Sequence, residues 1–116
     1  MNKEKLYHQK LAVIYDLYLA KAKRKGRTEQ EVQAILCWLC GYEQTQLQAL
    51  LESDADFISL FNDAPCMQPK RLQIKGVICG VRIEEIEDPI MRDIRCLDKL
   101  IDELAKGKPL DKILRS

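Results

Sequence analysis

The segment from Asp88 to Gly107 constrains the fold of this chain most strongly, because it has the marks of one long amphipathic helix. Asp88 followed by Pro89 is typical of a helix N-cap and first helical position, and Gly107 of a helix end. Between them, apolar residues recur at alternating spacings of four and three, at Ile90, Ile94, Leu97, Ile101 and Leu104. Such a stripe must be covered by other apolar surfaces, so the segment predicts a fold of helices packed on one another.

Four more helices are predicted ahead of this segment, over about residues 3–25, 28–41, 44–52 and 54–62. The stretch "TEQE" has the form of a capping box, in which Thr28 and Glu31 each accept from the other's backbone amide. Gly26 and Gly41 stand where the first two of these helices should end. With a final turn at "PLDKILRS", the chain is predicted to be all-α, a bundle of five or six helices in a single domain over residues 1–116.

Residues 72–83 form the least regular part of the chain, and two structures fit them. Four apolar residues have the three-and-four spacing of a helix face: Ile74, Val77, Ile78 and Val81. Gly76, Gly80 and the β-branched side chains lower helix propensity. A helix is favoured here, and one short β-hairpin is the alternative.

The charge balance excludes a protein that binds polyanions through a large overall positive charge. The 19 basic and 18 acidic side chains nearly cancel, so no overall field draws the chain to nucleic acid or to an anionic membrane. The start, "MNKEKLYHQK", lacks the apolar core of a signal peptide, and no segment has the roughly 18 apolar residues of a membrane span. We expect a cytoplasmic protein without membrane contact.

Cys37 and Cys40 form a C-x-x-C motif within "CWLCGY", a spacing found in redox and zinc centres. A thioredoxin-like motif begins a helix, whereas these cysteines precede Gly41 in a last turn, where the helix dipole disfavours a thiolate. A zinc site needs four ligands, and the other candidates are isolated residues: Cys66, Cys79, Cys96 and His8. We expect reduced, metal-free thiols that pack as small apolar side chains, and no cofactor.

The first predicted helix has apolar residues on two sides. One face carries Tyr7, Leu11, Ile14, Tyr15, Tyr18 and Ala22. A second strip, on nearly the opposite side, carries Leu6, Val13 and Leu17, and Trp38 similarly lies off the core stripe of its own helix. We expect these four side chains to form an interface with a protein partner, most simply in a homodimer. The alternative is that the first helix is central in the fold.

The run "KAKRKGR" holds five cations that could contact a polyanion: Lys21, Lys23, Arg24, Lys25 and Arg27. Cations at a helix end are also favoured by the helix dipole. The segment "WLCGYEQTQLQALL" is loosely similar to a helix-turn-helix, but its second helix offers glutamines, with acidic neighbours such as Glu43 and Glu52. Nucleic-acid binding through residues 21–27 is therefore an alternative that is not favoured.

The stretch "EEIED" contains four carboxylates that could hold Mg²⁺ or act in acid-base chemistry: Glu84, Glu85, Glu87 and Asp88. Acidic residues ahead of a helix are also favoured by the dipole. His8 is the one histidine and has no cysteine or serine at a spacing that would pair with it, so a surface role is expected. An enzyme with an acidic site at 84–88 is the least favoured of the three hypotheses.

Several segments in order resemble one family. The segments "VIYDLYLAKAKRKGRTEQEV", "WLCGY", "DFISLFNDAP", "IKGVICGVRIEEIEDP" and "LDKLIDELAKGK" are similar to those of small bacterial proteins catalogued as domain of unknown function 2200. Cys40 and Cys96 stand where that pattern leads us to expect threonine and tyrosine, which speaks against redox and zinc roles. The resemblance gives no information about biochemical activity. From the residues themselves, we expect a non-catalytic protein-protein interaction module.

Overall fold

The helix predicted from Asp88 onward is the element on which the others pack. The structure is a computed structural model that describes residues 3–78 and 80–114. The helices are α1 (Lys3–Tyr7), α2 (Leu11–Arg24), α3 (Glu29–Cys40), α4 (Gln44–Glu52), α5 (Phe57–Asn62), α6 (Pro89–Ala105) and α7 (Leu110–Ile113). Helix α6 contacts α2, α3, α5 and α7. It buries most of its predicted stripe, at Ile94, Leu97, Ile101 and Leu104, so the mostly helical fold is confirmed.

The prediction of one unbroken helix over residues 3–25 is wrong, because the chain turns between α1 and α2. The backbone there pairs with the loop between α4 and α5: Leu11 N donates to Ala55 O at 2.9 Å, and Phe57 N donates to Gln9 O at 2.8 Å. Leu11 N therefore does not bond within a helix. This pairing joins residues more than forty positions apart, which local periodicity cannot reveal.

The predicted helix ends of α3 and α6 are confirmed. Glu31 N donates to Thr28 Oγ1 at 3.3 Å while Thr28 N donates to Glu31 Oε1 at 3.0 Å, which completes the capping box. Asp88 Oδ1 accepts from Ile90 N at 3.0 Å at the start of α6. Helix α5 is shorter than predicted, because Asp56 is its N-cap and accepts from Ser59 N.

Residues 72–83 adopt the alternative of the two predicted structures, a β-hairpin. Strands β1 (Val77–Ile78) and β2 (Val81–Arg82) are antiparallel, with Val77 opposite Arg82 and Ile78 opposite Val81. They are flanked by 3-10 helices at Pro69–Gln73 and Ile83–Glu85. The backbone is left-handed at Gly76 and Gly80, a conformation incompatible with a helix through this segment. Among the described helices, none is long and apolar enough to cross a membrane.

Candidate functional site

Three of the five cations in the basic segment line one open cleft. Lys21, Arg24 and Lys25 project from the C-terminal end of α2, and Asp102, Ala105 and Lys106 complete the lining from α6. The cleft has a volume of about 940 Å³. It exists because α2 packs against α6, with Tyr18 of α2 donating to Asp98 of α6 at 2.6 Å.

Asp102 holds two of these cations together. Its carboxylate lies 3.3 Å from Lys21 Nζ and 3.0 Å from Lys106 Nζ. Partial burial opposes ionisation of this carboxyl, but hydrogen bonds from Lys106 and Lys21 keep the pKa of Asp102 below its ordinary value. The carboxylate therefore positions two ammonium groups close to each other at the edge of the cleft.

The other two members of the basic segment lie elsewhere. Lys23 is exposed and does not line the cleft. Arg27 is half-buried: its Nη1 donates to Leu104 O at 3.3 Å and to Lys108 O at 2.9 Å, and its Nε lies 3.2 Å from both carboxylate oxygens of Glu31. Arg27 thus joins the start of α3 to the end of α6.

The Arg27–Glu31 pair predicts an acid-dependent loss of stability. The hydrogen bond from Arg27 lowers the pKa of Glu31 from 4.5 to about 2. This lowered pKa stabilises the fold fully above the unfolded-state pKa, and the contribution is lost as pH falls from about 4.5 towards 2. We expect Glu31→Gln to remove on the order of 2 kcal/mol at pH 7, with a smaller further loss in acid than wild type. Urea unfolding at several pH values measures this, with the exposed Glu87→Gln as control.

An apolar strip of two side chains lies on the outer face of α2. Val13 is 53% exposed and Leu17, one helical turn later, is 63% exposed. Leu17 borders a shallow groove of about 160 Å³ whose apolar lining also includes Leu6, Ile14, Phe57 and Ile94. Of the predicted interface residues, Leu6 and Leu17 are thus brought to one groove. Trp38 lies on α3, packs against the core and does not line this groove.

The predicted acidic site divides between structural contacts and exposed side chains. Glu84 Oε2 accepts from Gly76 N at 3.0 Å, and Asp88 caps α6 and accepts from the Tyr7 hydroxyl at 2.9 Å. Glu85 and Glu87 are exposed. Over the side chains that the structure describes, residues 5–78 and 80–114, no three histidine, cysteine, aspartate or glutamate side chains are grouped to hold a metal ion.

The C-x-x-C motif lies at the C-terminal end of α3, as predicted. Cys40 is fully buried, and burial, with a smaller effect of the Asp93 charge, raises the pKa of its thiol to about 12. Burial also raises the pKa of Cys37, which is half-buried. Burial therefore favours the protonated, less reactive form of both thiols. Cys66 is exposed, Cys96 is buried, and Cys79 lies outside the described residues.

Two features of these surfaces could not be found by motif. One is the partly buried ion pair in which Arg71 Nε donates to Asp93 Oδ1 at 2.9 Å, close to Cys40. The only signal is that Asp93 precedes Leu97 by four residues, which puts its carboxylate on the covered face of α6. The other is the contribution of Asp102 and Lys106 to the cleft, since Lys21 and Asp102 are 81 positions apart.

Known sequences and structures match this protein over nearly the whole chain. A family model described as "Uncharacterized protein conserved in bacteria (DUF2200)" matches residues 5–115. The chain is 46% identical to the solved structure titled "Crystal structure of uncharacterized protein SP1917", with a TM-score of 0.93 over 98% of this chain and 93% of that chain. No curated protein matches. The chain therefore belongs to the DUF2200 family.

Proposed function

We propose that this chain is a non-catalytic protein-protein interaction module that self-associates through the outer face of α2. The observation that supports this is the exposed pair Val13 and Leu17 beside the apolar groove that begins at Leu6. A single exposed leucine is common on protein surfaces. Two large aliphatic side chains one turn apart, next to an apolar groove, form a patch that a partner can cover.

A second copy suits this patch because of how the charges are distributed on α2. A two-fold axis perpendicular to α2 would pack the two α2 helices antiparallel, so that Val13 of one copy faces Leu17 of the other. The basic residues of α2 all lie at its C-terminal end, at Lys21, Lys23 and Arg24. Antiparallel packing places these two like-charged ends at opposite ends of the contact, where they repel each other least.

The size of the patch predicts a modest affinity. Covering a large aliphatic side chain contributes roughly 1.5 to 3 kcal/mol before the cost of association is subtracted. Four such side chains, two from each copy, contribute about 6 to 12 kcal/mol. Subtracting the lower estimates of that cost, about 4 kcal/mol, leaves about 2 to 8 kcal/mol, and the upper end of this range corresponds to a micromolar dissociation constant. We therefore expect a dimer in the micromolar range rather than an obligate one.

Replacing Leu17 by glutamate should dissociate this dimer, because it puts a charge at the centre of the apolar contact. Light scattering on the wild-type chain at about 100 μM should give twice the monomer mass of 13.4 kDa, and Leu17→Glu should give the monomer mass. Leu72→Glu is the matched control: Leu72 is 54% exposed but lies outside α2, so its variant should remain dimeric. A wild-type mass that stays at the monomer value would refute self-association.

A further inference from the structure

We propose that the cleft between the C-terminal ends of α2 and α6 binds a small ligand that carries several phosphate groups. The cleft is the one described above, lined by Lys21, Arg24, Lys25, Asp102, Ala105 and Lys106. This binding would involve a single copy of the chain and is independent of self-association.

The first argument is an excess of positive charge that the fold does not neutralise. Four cations line the cleft against one carboxylate, in a chain whose formal net charge is only +1. Asp102 pairs with Lys21 and Lys106. Among the described side chains, those of residues 5–78 and 80–114, Arg24 and Lys25 form no ion pair or hydrogen bond, and both are exposed. An anionic ligand would supply the missing countercharge.

The second argument is that the helix ends do not need these cations as hydrogen-bond donors. Both α2 and α6 end in a Schellman motif, in which backbone amides satisfy the last carbonyls. In α2, Arg27 N donates to Ala22 O and Gly26 N donates to Lys23 O, both at 3.0 Å. In α6, Lys108 N donates to Glu103 O and Gly107 N donates to Leu104 O, both at 3.1 Å. The side chains of Arg24 and Lys25 are therefore available for another partner.

The donor chemistry favours phosphate. The guanidinium of Arg24 matches two phosphate oxygens at once, and each lysine ammonium has three N–H donors, of which Asp102 uses one on Lys21 and one on Lys106. Asp102 keeps these two ammonium groups together against their mutual repulsion. Several phosphate oxygens could thus be bound from both walls of the cleft.

The size and setting of the cleft favour a small ligand over a nucleic-acid chain. A volume of about 940 Å³ is within the range of small-molecule sites. A nucleic acid would require a continuous basic track, whereas the cations of α2 all lie at its C-terminal end, and at its other end Lys10 is paired with Asp54. We therefore expect a compact polyphosphate group to bind, such as that of a nucleoside triphosphate.

The test is calorimetric titration of the full chain with inorganic tripolyphosphate, in about 50 mM salt to limit screening. We expect saturable binding with one site per chain, weakened at least tenfold by Arg24→Glu and by Lys25→Glu. Lys23→Glu is the matched control: it changes the net charge equally on the same helix but lies outside the cleft, so a change below about threefold is expected. Thermal unfolding of each variant verifies that it is folded, and Arg24→Gln repeats the test without a new negative charge.

Three results would overturn the proposal. The first is that millimolar tripolyphosphate does not bind. The second is that Lys23→Glu and Arg24→Glu weaken the affinity equally, which would mean that tripolyphosphate is attracted to the whole basic surface and not bound in the cleft. The third concerns single-stranded RNA. If its affinity for the chain increased with RNA length, and tripolyphosphate displaced it only weakly, the cleft would be part of a nucleic-acid surface. The titration repeated on Leu17→Glu should give wild-type affinity, which separates this site from self-association.

Discussion

Replacing Arg71 by alanine should lower the free energy of unfolding by about 3 kcal/mol. Arg71 is the ion-pair partner of Asp93, and their side chains are 22% and 12% exposed. Without the guanidinium, the Asp93 carboxylate on α6 would be left unpaired at 9% exposure, close to the buried Cys40. The same variant loses the hydrogen bond from Arg71 Nη1 to Gln68 O, at 2.9 Å, which holds the loop before the hairpin.

A double-mutant cycle separates the unpaired charge from the lost packing. We expect Arg71→Ala combined with Asp93→Asn to recover part of the loss, because the amide removes the buried charge. The control is Lys10→Ala, which breaks the exposed Lys10–Asp54 pair and should change stability by less than about 1 kcal/mol. Urea unfolding measures the wild type, Arg71→Ala, Asp93→Asn, the double variant and Lys10→Ala. If Arg71→Ala costs no more than Lys10→Ala, the pair is not the structural element that its burial indicates.

The elements that sequence could predict are those whose ends carry their own signals. Thr28 with Glu31, and Asp88 with Pro89, mark helix starts through contacts within three residues, so α3 and α6 were found with their correct first turns. The stripe of α6 likewise depends only on local spacing, and it is buried as predicted. Local chemistry and tertiary structure agree in these segments.

The parts that could not be predicted depend on residues far apart in the chain. The turn between α1 and α2 is made by backbone pairing with residues 55–57, and nothing near Leu11 signals it. In residues 72–83 the spacing of the apolar residues favours a helix over a hairpin, but the left-handed backbone at Gly76 and Gly80 is incompatible with a helix. Only the α2 side of the cleft can be predicted from sequence, because it is a run of cations. The α6 side follows only from the packing of two helices.

The surfaces proposed to act in binding are also only partly predictable from local sequence. In the predicted polyanion segment, Arg27 is half-buried and donates to backbone carbonyls within the fold. The cleft has a cation that the segment lacks, Lys106 at the end of α6. No local pattern distinguishes a cation that is bound to a helix end from one that is free beside it. The C-x-x-C motif is the opposite case, because its place before Gly41 predicted protonated thiols and the burial of Cys40 gives a physical cause for them.

Gly41 should be among the least replaceable residues of the chain, with Gly41→Ala lowering the free energy of unfolding by about 3 kcal/mol. Gly41 ends α3 with a φ of +80°, a conformation that costs a residue with a Cβ about 1–2 kcal/mol. A Cβ there would also lie 2.5 Å from the backbone oxygen of Cys66, and overpacking of this kind costs about 1–3 kcal/mol.

The loop that carries Cys66 cannot move aside without breaking two backbone hydrogen bonds that tie it to the end of α3. Cys66 N donates to Cys40 O at 3.1 Å, and Gln68 N donates to Leu39 O at 2.8 Å. Gly26→Ala is the matched control, since Gly26 has a φ of +76° but no atom within 4 Å of an added Cβ. Its variant should lose only the conformational part, about 1 kcal/mol. Equal losses in the two variants by urea unfolding would mean that the loop yields, and that the close contact at Gly41 does not hold the end of α3 in place.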